Sequence, residues 1–300
     1  MQLIKETHVD FMGQSRLALS FSGLLILIGL ISILMHGGLR YGVDFAGGTL
    51  VQLKFKIPPA LDDVREGLKS LGLGDSSIQE FGSKNDILIR VQRSEEGLHS
   101  VGDEIRNGLG KNFNKEDIEV ERVEMVGPKV GKDLRSKALL SILYAILGIV
   151  IYISWRFEFH YAIAAIIALV HDVLVTLGVF SLLNKEFDLV VVAAFLTIIG
   201  YSLNDTIVVF DRIRENLRRR GKKSLTEIVN ESINQTLSRT LLTSGTTLLV
   251  VLALFILGGE IIHDFAFALL VGIAIGTYSS IFIASVFLTY WEAFGKIKRK

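Results

Sequence analysis

Six long apolar stretches constrain the fold of this 300-residue chain more than any other feature. A bilayer core about 30 Å thick is crossed by a helix of about 20 apolar residues. Hydrophobic residues make up 50% of the chain and charged residues 21%, which is unusual for a soluble protein. The stretches therefore predict a polytopic α-helical membrane protein with spans at residues 17–35, 138–155, 161–183, 189–210, 233–257 and 265–290.

The first stretch resembles a secretory signal in one respect, because Lys5 and Arg16 precede an apolar run. The run is longer than a typical signal core, and no Ala-x-Ala cleavage pattern follows it. We therefore expect an uncleaved first span.

The distribution of basic residues predicts the direction of the spans. Short loops rich in Lys and Arg stay in the cytoplasm. The loop after the fourth span carries seven basic residues and residues 291–300 carry four, whereas the two short loops on the opposite side contain only Lys185. Residues 1–16, 211–232 and 291–300 are thus expected in the cytoplasm and residues 36–137 outside it. A nucleic-acid patch is the alternative for the basic run, but its position directly after a span favours the membrane interpretation, and we expect no nucleic-acid partner.

The outer segment changes from membrane-like to soluble periodicity. Alternating or short apolar runs predict strands, and three- and four-residue apolar spacing predicts helices. The predicted elements are strand 49–56, helix 61–71, strand 77–81, strand 87–91, helix 98–109 and strand 118–126. The order β-α-β-β-α-β is that of a ferredoxin-like α+β domain.

Nothing in that outer segment resembles catalytic machinery. The chain has no cysteine, which excludes disulfides and thiolate metal sites. The outer segment also has no cluster of His, Asp and Glu and no glycine-rich phosphate loop. We expect a binding or force-bearing module, no metal, no cofactor and no enzymatic activity.

Asp205 is the leading functional candidate, because it lies within the fourth span. An ionisable group there costs roughly 2.5–3.5 kcal/mol or more at the bilayer centre, so such residues are functional candidates by default. Asp205 is seven residues before Arg212, or about 10 Å inside the cytoplasmic boundary. A capped or water-exposed helix end is the alternative.

Arg239 is the second candidate. Gln235, Arg239 and Thr243 form a stripe at four-residue spacing that runs into the fifth apolar stretch. Hydropathy alone starts that span near Leu241, whereas the stripe favours a start nearer Ser232 and would place Arg239 level with Asp205. A snorkelling interfacial arginine is the alternative. Burial favours a neutral carboxyl group and a nearby guanidinium favours a charged one, so separating the two would couple proton binding to movement.

Two further groups of residues rank below these. His171 and Asp172 lie midway along the third span, where a hydrogen-bonded structural pair is at least as reasonable as a proton relay. Gly272, Gly276 and Ser280 follow four-residue spacing in the sixth span, which is typical of close helix packing.

Several motifs, taken together, resemble the SecF family, the smaller half of the bacterial SecDF complex that assists protein export. They are residues 40–49 (RYGVDFAGGT), 171–173 (HDV), 204–215 (NDTIVVFDRIRE) and 234–240 (NQTLSRT). The resemblance covers essentially the whole chain. It implies a member of the resistance-nodulation-division superfamily in the inner membrane, which pairs with SecD and acts with the SecYEG channel, the SecA motor and possibly YajC. It also implies that protons drive movement of the polypeptide being translocated, with Asp205 and Arg239 on the proton pathway.

Two other functions compete with this one. A small-molecule proton antiporter of the same superfamily usually carries paired acids on the fourth span, whereas Asn204 precedes Asp205 here. A passive scaffold is the third possibility, and nothing in the periodicity excludes it.

Overall fold

The computed structural model describes residues 7–74, 76–91, 98–219 and 221–297. A π-helical turn, Ser280–Ala284, joins the last two helices. In chain order the elements are α1 (Ser15–Met35), α2 (Val43–Ala46), β1 (Gly48–Phe55), α3 (Leu61–Lys69), β2 (Ser77–Phe81), β3 (Ser83–Val91), α4 (Leu98–Leu109), β4 (Ile118–Val126), α5 (Pro128–Arg156), α6 (Phe159–Leu182), α7 (Leu189–Arg218), α8 (Leu225–Leu257), α9 (Glu260–Ser279) and α10 (Ser285–Ile297).

Within the described residues, six helical segments are long and apolar enough to cross a membrane, as predicted. Several of these helices are longer than their apolar stretches. Helix α5 begins ten residues before position 138, and α7 continues past position 210 to Arg218. Hydropathy marks only the apolar part of a helix, whereas its backbone hydrogen bonds continue into the polar regions on either side.

Helix α8 has a capping box at its start. The Glu227 amide donates to the Ser224 hydroxyl at 3.2 Å, and the Ser224 amide donates to the Glu227 carboxylate at 2.7 Å. These bonds satisfy backbone donors that a helix start leaves without partners. The helix is then continuous to Leu257, so Arg239 and the apolar stretch lie on the same helix.

The spans form an inner and an outer layer. In α6, in α7 and in the sixth span, 56% of the residues in the most apolar 18-residue stretch are buried. The same fraction is 22% in α1, 11% in α5 and 17% in α8. Apolar side chains on the outer helices, such as Leu147 on α5 and Leu249 on α8, are exposed on the surface of the bundle. A hydrocarbon environment accommodates such a surface.

The outer segment folds as the predicted ferredoxin-like domain. Its antiparallel sheet has the strand order β2-β3-β1-β4. Val51, Leu53 and Phe55 on β1 are buried against α3 and α4, which confirms the alternation. Strand β3 starts at Ser83, four residues before position 87, because Gly82 makes the turn at a φ of +77° that favours glycine.

Some residues used for the direction of the spans lie outside the described part of the chain. They are Arg220, Lys298, Arg299 and Lys300. The direction of the spans therefore stays a prediction.

Candidate functional site

Asp205 lies where three helices meet. It is 2% exposed in α7, and its Oδ2 accepts a hydrogen bond from the Ser244 hydroxyl of α8 at 2.8 Å. The Thr277 hydroxyl of α9 lies 3.5 Å from the same oxygen and 2.8 Å from the Ser244 hydroxyl. A carboxyl group away from water needs such partners, because an unpaired polar group is costly to bury. The hydroxyls make one small polar pocket around Asp205.

Arg239 is exposed on α8. It precedes Ser244 by five residues, which is about 7.5 Å along the helix axis. Because Ser244 is bonded to Asp205, the backbone of Arg239 lies more than one helical turn from the level of Asp205, and the level of its guanidinium stays a prediction. The physical reason is the antiparallel register of α7 and α8, in which the Tyr201 hydroxyl bonds the Thr247 hydroxyl at 3.0 Å.

His171 and Asp172 form a buried pair in α6. Nδ1 of His171 lies 2.9 Å from Oδ1 of Asp172. The other carboxyl oxygen accepts hydrogen bonds from Ser202 of α7 at 2.6 Å and from Ser279 of α9 at 2.8 Å. Asp172 therefore joins the three inner helices.

The surroundings of Asp172 and Asp205 are connected through the same two helices. Ser202 and Asp205 are three residues apart on α7, so they lie on neighbouring turns of one face. On α9 the partners Thr277 and Ser279 are two residues apart. We call these groups the polar band, and its members are His171, Asp172, Ser202, Asp205, Ser244, Thr277 and Ser279.

The serines and the threonine of this band are functional candidates that the sequence reasoning did not select. The stripe chosen on α8 included Thr243, whose hydroxyl bonds the backbone oxygens of Arg239 and Thr240 at 3.0 Å each. The next residue, Ser244, donates the 2.8 Å hydrogen bond to Asp205. Buried hydroxyls near the depth of a buried carboxyl group are the signal that could have identified the band.

The small residues of the sixth span lie at a close helix approach. A Cβ atom added to Gly272 would be 2.4 Å from the Ile198 side chain, and one added to Gly276 would be 2.9 Å from Cβ of Ser202. Ser280 is buried at the start of the π-helical turn, and its hydroxyl bonds the Thr277 carbonyl at 2.9 Å. The spacing of these residues therefore lets α9 reach α7 beside the polar band.

A second polar surface faces outward from the bundle. Asn204 on α7 and Gln235, Arg239 and Thr246 on α8 are exposed. We call these four residues the open polar face. Polar side chains in spans face protein or water rather than lipid, because contact with hydrocarbon is costly.

These features define a class: a six-span membrane protein with a ferredoxin-like domain between its first two spans and ionisable groups inside the bundle. The family model described as protein export membrane protein SecD/SecF, C-terminal, matches residues 107–293, and the model described as the SecD/SecF GG motif matches residues 32–56.

Similar proteins agree with these matches. The protein translocase subunit SecF of Desulfurispirillum indicum is 51% identical, covering 95% of this chain and 92% of that protein. Its namesake from Calditerrivibrio nitroreducens is 50% identical, covering 95% of each chain. The chain belongs to the SecF family.

Solved structures extend the comparison. The crystal structure of the translocon-associated membrane protein SecDF from Thermus thermophilus matches with a TM-score of 0.83 at 37% identity. The match covers 96% of this chain and 39% of that one. A second SecDF structure, described as the super-membrane-facing form, matches with a TM-score of 0.75 at 36% identity, covering 100% of this chain and 40% of the other. The chain thus corresponds to about two-fifths of SecDF.

Proposed function

We propose that this chain is an accessory subunit of the bacterial Sec protein translocase. With SecD, it uses the proton motive force to complete translocation of polypeptides after the ATP-driven step of SecA. The family membership supports the export role, and the buried Asp205 among hydroxyl groups of three helices carries the proton-coupling part of the proposal.

Asp205 and Arg239 form the core of the proposed proton pathway. A carboxyl group in a low-dielectric interior favours its neutral form, and a nearby guanidinium favours the charged form. Movement of α8 along α7 would change the separation of the two groups. Proton binding and helix displacement are thereby linked, because each changes the free energy of the other.

SecD is the partner proposed for the open polar face. Exposed Asn204, Arg239 and Thr246 lie on predicted spans of a bundle that covers about two-fifths of SecDF. A second bundle packed here would remove these groups from lipid and complete the polar environment of Arg239. SecYEG, SecA and possibly YajC are the further partners, and we place the protein in the bacterial inner membrane with both termini in the cytoplasm.

An export assay in living cells tests the proposal. In a strain that lacks its own copy of this subunit, Asp205→Asn is expected to reach the membrane and pair with SecD but leave secreted precursors uncleaved. Asp211→Asn is the matched control, because Asp211 lies on the same helix but is exposed and pairs with Arg156 at 3.2 Å. Normal precursor processing by Asp205→Asn would refute the role of Asp205.

The small-molecule antiporter makes a different prediction in the same strain. Loss of an antiporter would raise susceptibility to its drug substrates while leaving precursor processing intact. We expect the opposite: slow processing, with drug susceptibility changed no more than in other export-defective strains.

A further inference from the structure

The ferredoxin-like domain joins the membrane helices at one line. Strand β1 begins at Gly48 and β4 ends at Val126, and these two residues are paired neighbours in the sheet. The connections on either side are glycines: Gly47 and Gly48 have φ values of 77° and 139°, and Gly127 follows β4. Glycine adopts such backbone angles with little strain, and it allows the chain to rotate. We call these two crossings, at Gly47–Gly48 and at Gly127, the glycine hinge.

A polar contact between the domain and the membrane helices lies on the neighbouring strand β3, where Arg90 is paired with Leu50 of β1. Glu186, in the loop between α6 and α7, binds the guanidinium of Arg90 on β3. It also pairs with Arg40, which precedes the domain, at 3.3 Å. The side chain of Glu186 is 11% exposed and that of Arg90 is 20% exposed. Solvent weakens such a partly buried, charge-assisted contact less than it weakens an exposed ion pair.

The same loop is fixed to the end of α7. The Phe187 amide donates to the Arg40 carbonyl at 2.7 Å, and the Gly42 amide donates to the Phe187 carbonyl at 3.1 Å. Asp188 caps α7 by accepting from the Val191 amide at 2.8 Å. The loop therefore connects the segment before the domain to the helix that carries Asp205.

Helix α7 then runs without interruption from Leu189 to Asp205. Sixteen residues at 1.5 Å each span about 24 Å. A displacement of α7 at Asp205 therefore moves the Glu186 loop, and with it the partner of Arg90.

Space for domain movement is present beside the contact between Glu186 and Arg90. A cavity of 620 Å³ lies between the domain and the membrane helices, and Arg40, Arg65, Arg90 and Glu186 are among its lining residues. The Arg65 guanidinium donates to the Gly74 carbonyl at 3.1 Å. Rotation about the glycine hinge would open or close this cleft without unfolding either part.

We propose that Glu186 is a positioning residue: with Arg90 it forms a latch that holds the outer domain in one orientation. Through α7, the latch responds to the state of Asp205. The inference rests on the proposed role of Asp205 as the proton-binding group. It adds the route by which proton binding reaches the outer domain.

A distance measurement tests the latch without an export assay. The chain has no cysteine, so Ile57→Cys in the domain and Leu183→Cys after α6 give one defined pair of spin labels. Both positions are exposed, at 75% and 56%. Pulsed electron resonance on the full-length protein paired with SecD then gives the distribution of domain positions.

In docked molecules the contact between Glu186 and Arg90 is formed, and in released molecules it is broken. Glu186→Gln is expected to lower the ratio of docked to released molecules about tenfold, which corresponds to about 1.4 kcal/mol. The matched control is Glu121→Gln, which breaks the 2.9 Å pair with Lys54 inside the domain and should leave the distribution unchanged. Arg90→Lys keeps the charge and should retain most of the docked population. Identical distributions for Glu186→Gln and the parent protein would overturn the latch.

A second comparison tests the link to Asp205. Asp205→Asn should shift the same distance distribution, and that shift should disappear when Glu186→Gln is also present. An effect of Glu186→Gln but none of Asp205→Asn would overturn the transmission through α7. Export that continues normally in Asp205→Asn would instead refute the proposed function, so the two failures are distinguishable.

Discussion

Helices α1 and α6 touch backbone to backbone, and this contact allows a quantitative prediction. A Cβ atom added to Gly29 would lie 2.7 Å from Cα of Gly178, and the reverse substitution gives the same distance to Gly29. Real Cβ atoms do not approach a backbone this closely, so the helices must separate. Both helices lead to segments that contact the outer domain. Helix α1 leads to the glycine hinge, and α6 leads to the loop that contains Glu186.

The expected cost follows from two opposing terms. Alanine at a helical glycine stabilises a helix by about 1 kcal/mol through propensity. Overpacking a tight interior site typically costs about 1–3 kcal/mol. Gly23 lies on the same helix and has no atom within 4 Å of its added Cβ. Gly23→Ala therefore changes the helix propensity without causing overpacking. Gly29→Ala should therefore be less stable than Gly23→Ala by about 1–3 kcal/mol.

Equilibrium unfolding of the purified proteins in mixed detergent micelles measures this difference. The double variant Gly29→Ala/Gly178→Ala should lose less stability than the sum of the single variants, because the first clash already separates the helices. Equal stabilities of Gly29→Ala and Gly23→Ala would refute the close approach of α1 and α6.

Three further predictions concern polar groups at other levels of the bundle. Asp172→Ala should lower the stability by roughly 2–4 kcal/mol, because it leaves buried hydroxyl donors without an acceptor; micelle unfolding measures it, and an unchanged midpoint would contradict it. Asn230→Ala should speed amide hydrogen exchange at Phe11 about tenfold, because it removes the 2.8 Å acceptor of that amide; Gln235→Ala is the control, and equal exchange would contradict it. Burial raises the pKa of Asp188, so stability should fall as the pH rises through the range between the ordinary and the raised pKa. Asp188→Asn keeps a capping oxygen and should remove that fall, whereas an unchanged pH profile would contradict the assignment.

The outer domain could be predicted from the sequence because its periodicities are strong. Alternation along β1 placed Val51, Leu53 and Phe55 on the buried face, and both helical stripes produced the expected helices. Charge and hydropathy likewise identified Asp205, since an aspartate inside an apolar stretch is visible without any structure.

The partners of that aspartate could not be predicted in the same way. Successive residues on a helix differ in direction by about 100°, so Thr243 and Ser244 face different neighbours. Which hydroxyl makes the shortest hydrogen bond to Asp205 depends on how α8 rotates against α7. The axial offset of Arg239 depends on the same packing, because a sequence pattern fixes faces and not the register between helices.

The contacts of Gly29 and Glu186 show a second limit. Gly29 meets a glycine on a helix well over a hundred residues away, and Glu186 lies in a loop of six residues whose partners come from two distant segments. Neither has a local pattern, so tertiary structure was needed to assign them.

Reconstituted proteoliposomes measure directly whether Asp205 couples the proton gradient to protein export. Vesicles would contain this chain with SecD and SecYEG, and SecA would start translocation of a labelled precursor. The protected precursor would be measured with a proton gradient imposed and with the gradient collapsed. We expect the gradient to stimulate export with the parent protein and with Asp211→Asn but to give no stimulation with Asp205→Asn. Full stimulation with Asp205→Asn would contradict this expectation.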